Sequence, residues 1–206
     1  MVTAQSLTHR YGHHVVFTEL SFAVGQGEVF AITGRNGSGK STLVKILAGL
    51  LRPTRGQVRW GVSDTEAGPA IGLIAPYVNL YEDMTLRENL RFIRKLRGMR
   101  PSNSVGIVER AGLSRAADKV LRNYSTGMLQ RARFAAALVH APIVLLLDEP
   151  TLGLDRFGYE LCRQVVGSAQ RTGGTVIIAS NARRDIELAG ECLCIEDFAP
   201  RVKGRT

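Results

Sequence analysis

Gly34-Arg35-Asn36-Gly37-Ser38-Gly39-Lys40-Ser41-Thr42 carries the G-x-x-x-x-G-K-[ST] spacing of a phosphate-binding loop. The apolar run Val29-Phe30-Ala31-Ile32 precedes it and reads as a strand, and a helical pattern begins near Ser41. In that setting the glycines let the backbone wrap a phosphate chain with its N–H groups turned inward. The following helix adds its positive N-terminal end. Lys40 is expected to reach the β- and γ-phosphates of a nucleoside triphosphate, and the Ser41 hydroxyl to ligate magnesium.

A second stretch supplies the acids such chemistry needs. The aliphatic run Ile143-Val144-Leu145-Leu146-Leu147 leads directly into Asp148-Glu149-Pro150. An acid at the carboxyl end of a buried strand is placed to hold magnesium through water opposite Ser41, the role expected of Asp148. Glu149, one residue on, is placed to polarise a water for attack on the γ-phosphate.

Outward from these two stretches the pattern alternates between strand and helix. Val2 to about Val24 reads as strands around a turn at Gly12, and Gly25-Gln26-Gly27 marks another turn before the phosphate-loop strand. Leu43, Ile46, Leu47 and Leu50 recur at helical spacing, Pro53 ends that pattern, and short strands follow around Val58-Arg59-Trp60 and at Ile71-Gly72-Leu73-Ile74. From Thr85 to about Ala137 the pattern is mostly helical, with breaks at Gly98-Met99-Arg100-Pro101 and before Ser125. Thr175-Val176-Ile177-Ile178-Ala179 reads as another buried strand. Strand, helix, strand in this order implies a parallel sheet and an α/β fold.

With 206 residues the chain has the length of one domain, and its apolar and charged fractions are those of a globular protein. Its longest aliphatic run is far too short to cross a bilayer. The start, Met1-Val2-Thr3-Ala4-Gln5, lacks the features of a secretory signal, and Cys162, Cys192 and Cys194 form no C-x-x-C pair. Both point to a cytoplasmic chain with reduced, buried thiols. His13-His14 reads as a solvated turn, and the basic end Arg201-Val202-Lys203-Gly204-Arg205-Thr206 as a frayed tail. The net charge is +9, and Arg87, Arg91, Arg94, Lys95, Arg97 and Arg100 crowd one segment in which Leu86, Leu90, Ile93 and Leu96 repeat at helical spacing. That is an amphipathic helix with a basic outer face, either solvated or turned to lipid headgroups or an acidic partner. Only Phe92 interleaves with the arginines, so a platform for stacking bases is not supported and no nucleic-acid partner is expected.

Together the phosphate loop, Tyr124-Ser125-Thr126-Gly127-Met128-Leu129-Gln130-Arg131, Asp148-Glu149-Pro150-Thr151 and Leu154-Asp155 resemble an ATP-binding cassette (ABC) ATPase from about Leu7 to Glu196. The resemblance implies an ABC-type nucleotide-binding domain of the P-loop NTPase class. Residues 1–76 and 138–198 would form a RecA-like core with an antiparallel β subdomain, and 77–137 an α-helical signature subdomain, within a single domain, 1–206. It also implies that Ser125, Thr126, Gly127 and Met128 stand for the family's signature motif, whose helix start faces the γ-phosphate held by another subunit. ATP with Mg2+ would then join two cassettes head to tail. Tyr11 matches the adenine-stacking aromatic and Asp155 the aspartate that communicates across the dimer.

Small size, the Tyr-Ser-Thr-Gly-Met variant and the lack of a C-terminal regulatory domain are similar to export-type subunits, loosely including those of the bacterial heme exporter of cytochrome c maturation. Transmembrane permease subunits on separate chains are the implied partners, with the cassette peripheral on the inner face of the cell membrane. Two positions depart from the family. Pro76 stands where a glutamine is usual and offers neither a side-chain donor nor a backbone N–H, with Tyr77 and Asn79 as the nearby substitutes. Asn181 stands in place of the switch histidine; its amide still donates one hydrogen bond to a γ-phosphate but carries no charge. The alternatives are an ATP-binding switch subunit that barely hydrolyses and is paired with a catalytically complete cassette, or a soluble non-transport cassette working on nucleic acid or the ribosome. A simple P-loop kinase would not need Ser125 to Gln130.

Overall fold

The computed structural model describes residues 1–61, 71–99 and 104–200. The expectations placed on Arg100, Pro101 and residues 201–206 lie outside the described residues. Strands β1 (Val2–Tyr11) and β2 (His14–Val24) form an antiparallel hairpin, and β4 (Arg55–Trp60) pairs with the other side of β1. The resulting three-stranded sheet has the order β2-β1-β4. A register shift between Ala4 and Leu7, with Ser6 at positive φ, keeps both apolar side chains on the buried face.

A second sheet is parallel throughout. Its order is β5 (Ile71–Ile74), β6 (Val144–Asp148), β7 (Thr175–Ala179), β3 (Val29–Thr33) and β8 (Glu191–Cys194). Every residue of β6 and β7 is buried, which is why their sequences are continuous rather than alternating. The pleat divides them between two cores. Leu146 and Ile177 point toward the antiparallel sheet, where they meet Phe17, Leu20 and helix α1 (Lys40–Leu47). Leu145, Leu147, Val176 and Ile178 point the other way, into a core shared with the remaining helices.

Those helices are α2 (Leu86–Leu96), α3 (Val105–Arg110), α4 (Thr126–Leu138), α5 (Arg156–Arg171) and the short α6 (Arg183–Ile186). Helix α2 starts at a capping box. Thr85 Oγ1 accepts from the Glu88 backbone N–H at 3.2 Å, and the Glu88 carboxylate accepts from the Thr85 N–H at 2.8 Å. Its Leu86 and Leu90 are buried, but Leu96 is 70% exposed at the last turn.

Several expectations need correction. Leu50 is 62% exposed because α1 ends at Leu47 and the chain turns at Gly49. Between Ala111 and Ser125 the helical reading gives way to two 3-10 turns, Ser114–Ala116 and Leu121–Asn123, where buried Leu113, Ala117 and Leu121 are spaced irregularly. The basic face of α2 is thinner than its composition implies. Arg94 Nη1 donates to the Val139 carbonyl at 2.9 Å, Arg97 Nη2 to the Ile71 carbonyl at 3.3 Å, and Arg87 Nε pairs with Asp118 at 2.9 Å. Of the thiols only Cys162 is buried; Cys192 is exposed and Cys194 half-buried, because β8 is an edge strand. All three are free.

The strand order positions the site. Strands β6, β7 and β3 are neighbours and parallel, so their carboxyl ends lie side by side. Asp148 pairs with Ala179, and Ala179 with Ile32, so the acidic pair, Ser180 and the phosphate loop emerge on one edge.

Candidate nucleotide-binding site

The phosphate loop leaves β3 at Gly34 and enters α1 at Lys40, with Gly34, Gly37 and Gly39 all at positive φ. Gly39 is the helix N-cap at φ +107°, a conformation closed to residues with a Cβ. The Lys40 side chain is only 6% exposed and folds back over the loop. Its ammonium donates to the Gly34 carbonyl at 2.7 Å and the Arg35 carbonyl at 3.1 Å, and lies 3.8 Å from Glu149 Oε1. The Ser38 N–H donates to the Arg35 carbonyl at 3.1 Å, and the Arg35 N–H to Glu196 Oε2 at 3.3 Å. Ser41 and Thr42 begin the helix; Thr42 Oγ1 lies 3.4 Å from the Tyr11 hydroxyl. Tyr11 is half-exposed, and the His9 ring meets it edge to face at 4.7 Å between centroids. A free aromatic face next to the loop suits a purine base.

Asp148 is fully buried at the end of β6, and neither carboxylate oxygen makes a hydrogen bond of full geometry. Burial pushes its carboxyl above the usual range, and the charge of Glu149 adds to this; the Ser41 hydroxyl, Lys40 and Tyr77 beside it pull the other way. A buried carboxylate with unspent lone pairs beside a serine hydroxyl is a donor set that fits Mg2+, a hard cation taking oxygen ligands. Pro76 is exposed, while the hydroxyl of Tyr77 is buried and faces Asp148, whose charge, added to burial, raises the phenol. Lys45 Nζ sits 4.4 Å above the Tyr77 ring. Of the two substitutes for the usual glutamine, Tyr77 is therefore the one at the acid; Asn79 lines a groove with Leu80, Phe92 and Ile93.

Glu149 stands at φ +47°, uncommon for a residue with a side chain. Its N–H donates to the Ala179 carbonyl at 2.8 Å, and its Oε2 accepts from the Ser180 hydroxyl at 3.1 Å. Asn181 Nδ2 donates to Asn36 Oδ1 at 2.8 Å, bridging the end of β7 to the tip of the phosphate loop.

Ser125 caps α4, its Oγ accepting from the Met128 N–H at 3.3 Å, so its own proton remains to be donated. Thr126 is exposed; Gly127 and Met128 are half-buried. Asp155 caps α5 through the Gly158 N–H at 2.7 Å and pairs with Arg131 at 3.3 Å. Gln130 Nε2 donates to the Pro150 carbonyl at 3.2 Å, tying α4 to the loop after the acids. Among the described residues no hydrogen bond or ion pair joins Ser125, Thr126, Gly127 or Met128 to the phosphate loop. The structure thus brings Tyr11, the loop, Asp148, Glu149 and Asn181 together and leaves the α4 start apart.

Sequence reasoning missed Ser180, Asp185 and the pair Arg184–Thr151, in which Arg184 Nε donates to Thr151 Oγ1 at 2.8 Å. A polar residue following five buried strand residues was the available signal for Ser180. A cavity of about 560 Å³ lined by Gln26, Arg110 and Thr175 shares no residue with the phosphate loop.

Comparison with known proteins agrees with this geometry. Residues 17–152 match the family described as ABC transporter. The chain is 31% identical over 192 residues to the lantibiotic transport ATP-binding protein SrtF of Streptococcus pyogenes, covering 91% of this chain and 82% of that one. It is 34% identical over 194 residues to the bacitracin transport ATP-binding protein BcrA of Bacillus licheniformis, covering 91% of this chain but 63% of that one. Among solved structures, the ATP-binding subunit of an ABC transporter superimposes with a TM-score of 0.87 at 23% identity, over 99% of this chain and 89% of that one. An ATP-binding cassette solved as a dimer in a post-hydrolysis state with ADP and Pi gives 0.83 at 24% identity, over 98% and 97%. The structural likenesses speak to the fold, and with the matched motifs and relatives above 30% identity they establish that this chain belongs to the ABC transporter family.

Proposed function

We propose that the chain is the Mg2+-dependent ATP-hydrolysing subunit of an export transporter, docked on permease chains at the cytoplasmic face of a membrane. The observation that carries the reading is the meeting of Lys40, at the start of α1 beyond β3, with Asp148 and Glu149 at the end of β6, one strand away across β7, with Lys40 Nζ 3.8 Å from Glu149 Oε1. Tyr11 would stack on adenine, and the backbone N–H groups from Arg35 to Thr42 would take the phosphates. Lys40 would exchange its two carbonyl bonds for phosphate oxygens. Ser41 and Asp148 would hold the magnesium ion. When bound, it neutralises charge on the phosphate oxygens. Glu149 would orient the attacking water and accept its proton.

A second copy, or a different cassette, completes the site. Ser125, Gly127 and the free N–H groups at the start of α4 form an anion-binding end with no phosphate loop bonded to it in the same chain. Head-to-tail pairing would bring it to the partner's γ-phosphate. Among the described residues no helix is long and apolar enough to cross a membrane, in keeping with permease chains encoded apart. Export rests on the relatives named for lantibiotic and bacitracin transport and for Nod factor and fluoroquinolone export, whose cargoes differ from one another.

One observation favours the switch reading. The Asn181 amide, placed where a histidine would meet the γ-phosphate, carries no charge and already gives one of its two N–H groups to Asn36. The test is the oligomeric state of Glu149→Gln by light scattering: a dimer that forms only with ATP and Mg2+ is expected. A monomer under saturating nucleotide overturns the composite site.

A further inference from the structure

Glu149 is held at positive φ on the loop after β6; Lys40 of the phosphate loop pairs with its Oε1, but the hydrogen bond to its Oε2 comes from elsewhere. Ser180 and Asp185 are buried to 1% and 0% exposure at the end of β7 and on α6. Ser180 Oγ lies 3.1 Å from Glu149 Oε2 and 2.8 Å from Asp185 Oδ2, and accepts the Ala182 N–H at 3.1 Å. The same segment grips the loop again two residues beyond Glu149. Arg184 Nε donates to Thr151 Oγ1 at 2.8 Å, and Arg184 Nη2 to the Thr151 carbonyl at 2.6 Å. A residue in an unfavourable backbone conformation stays there only when its surroundings over-determine it. Here the surroundings come from β7 and α6.

We infer that Ser180 is a positioning residue for Glu149 and that Asp185 competes with Glu149 for the Ser180 hydroxyl proton. The inference rests on Glu149 being the general base. A serine hydroxyl has one proton and two lone pairs, and the Ala182 N–H takes one lone pair. The single proton faces two carboxylates. When it is donated to Glu149, Oε2 is anchored and Oε1 stays directed at the Lys40 side of the site. When Asp185 takes it, Glu149 loses its only side-chain hydrogen bond among the described residues, and the carboxylate is free to turn away from the attacking water. An amide at position 185 removes the competition, because its N–H donates into the second Ser180 lone pair and leaves the proton for Glu149.

Three variants test this: Ser180→Ala, Asp185→Asn and Glu149→Gln, each assayed for ATP turnover, KM, affinity for a fluorescent ATP analogue and melting temperature. Misplacing a catalytic group by about 1 Å costs on the order of a hundredfold. Ser180→Ala is therefore expected to lower kcat by about tenfold to a hundredfold, with KM and nucleotide affinity unchanged. Asp185→Asn is expected to keep wild-type kcat or exceed it. Wild-type kcat in Ser180→Ala while Glu149→Gln is inactive overturns the inference alone. Unchanged turnover in Glu149→Gln overturns the general-base reading beneath it. Loss of nucleotide affinity together with kcat in Ser180→Ala marks a structural role and also overturns the inference. Should Ser180→Ala not fold, Asp185→Asn decides by itself: turnover below wild type in a folded protein overturns the competition.

Discussion

Replacing Gly39 with alanine tests the phosphate loop at its tightest point. The residue stands at φ +107°, and an added Cβ would fall 2.3 Å from Val16 Cγ1 on β2, with Ile195 Cδ1 at 3.5 Å and Phe17 Cδ1 at 3.6 Å behind it. Two costs add. Holding an alanine in left-handed backbone costs about 1–2 kcal/mol, and forcing a methyl into an occupied space costs about 1–3 kcal/mol. The total, about 2–5 kcal/mol, corresponds to a fall in Tm of roughly 4–20 °C for a domain of this size. Because the loop's N–H groups must share one phosphate, displacement of Gly39 also weakens ATP binding. The two costs separate in a double-mutant cycle. Val16→Ala removes the obstructing methyl, so Gly39→Ala in that background should recover the steric part and retain the backbone part, a coupling of about 1–3 kcal/mol. Urea denaturation gives the stabilities, and a fluorescent ATP analogue gives the affinity. Wild-type stability and affinity in Gly39→Ala, or strict additivity with Val16→Ala, would refute the steric reasoning.

Asp148→Asn should raise the Tm of the nucleotide-free protein at neutral pH while abolishing the stabilisation conferred by Mg2+ with ATP. Burial raises the Asp148 carboxyl in the fold, so ionising it weakens the native state; the gain should fade as pH falls below the ordinary carboxylate range in a pH series of melts. His140 should make stability fall in mild acid. Burial, with the charge of Arg97 adding and the Ile71 carbonyl opposing, lowers its pKa from 6.5 to about 4, so the unfolded chain takes up the proton first. About 3 kcal/mol of stability, whole above pH 6.5, is lost as pH falls through about 4, and His140→Gln should flatten that slope in urea titrations. Asn181→His should raise turnover, with no rise meaning that the absent histidine does not limit the reaction. Thr85→Ala should cost about 1 kcal/mol by thermal melting through loss of the α2 cap.

The place of the Gly34 to Thr42 loop between strand and helix, and of the acids at the end of β6, was legible because each is a short stretch with a spacing of its own. The parallel sheet was legible from the unbroken apolar runs at β6 and β7, a composition that only burial on both faces requires. Helix ends were not: Leu50 and Leu96 keep the period of their helices but fall where the chain leaves the core. The charge of α2 was visible, whereas the Val139 and Ile71 carbonyls that take up Arg94 and Arg97 lie on other elements. The hold of Ser180 on Glu149 spans 31 residues and two strands, and a lone serine gives no sign of such a partner. Tyr77 was a candidate by proximity alone, and its place beside Asp148 follows from the turn after β5.

The most direct test is the steady-state rate of ATP hydrolysis by the purified chain with Mg2+, measured beside Glu149→Gln. A rate that saturates with ATP, depends on Mg2+ and is lost by at least about a hundredfold in Glu149→Gln is predicted for a positioned general base. ATP bound without turnover in both proteins would contradict the hydrolytic reading and leave the chain a nucleotide-driven switch.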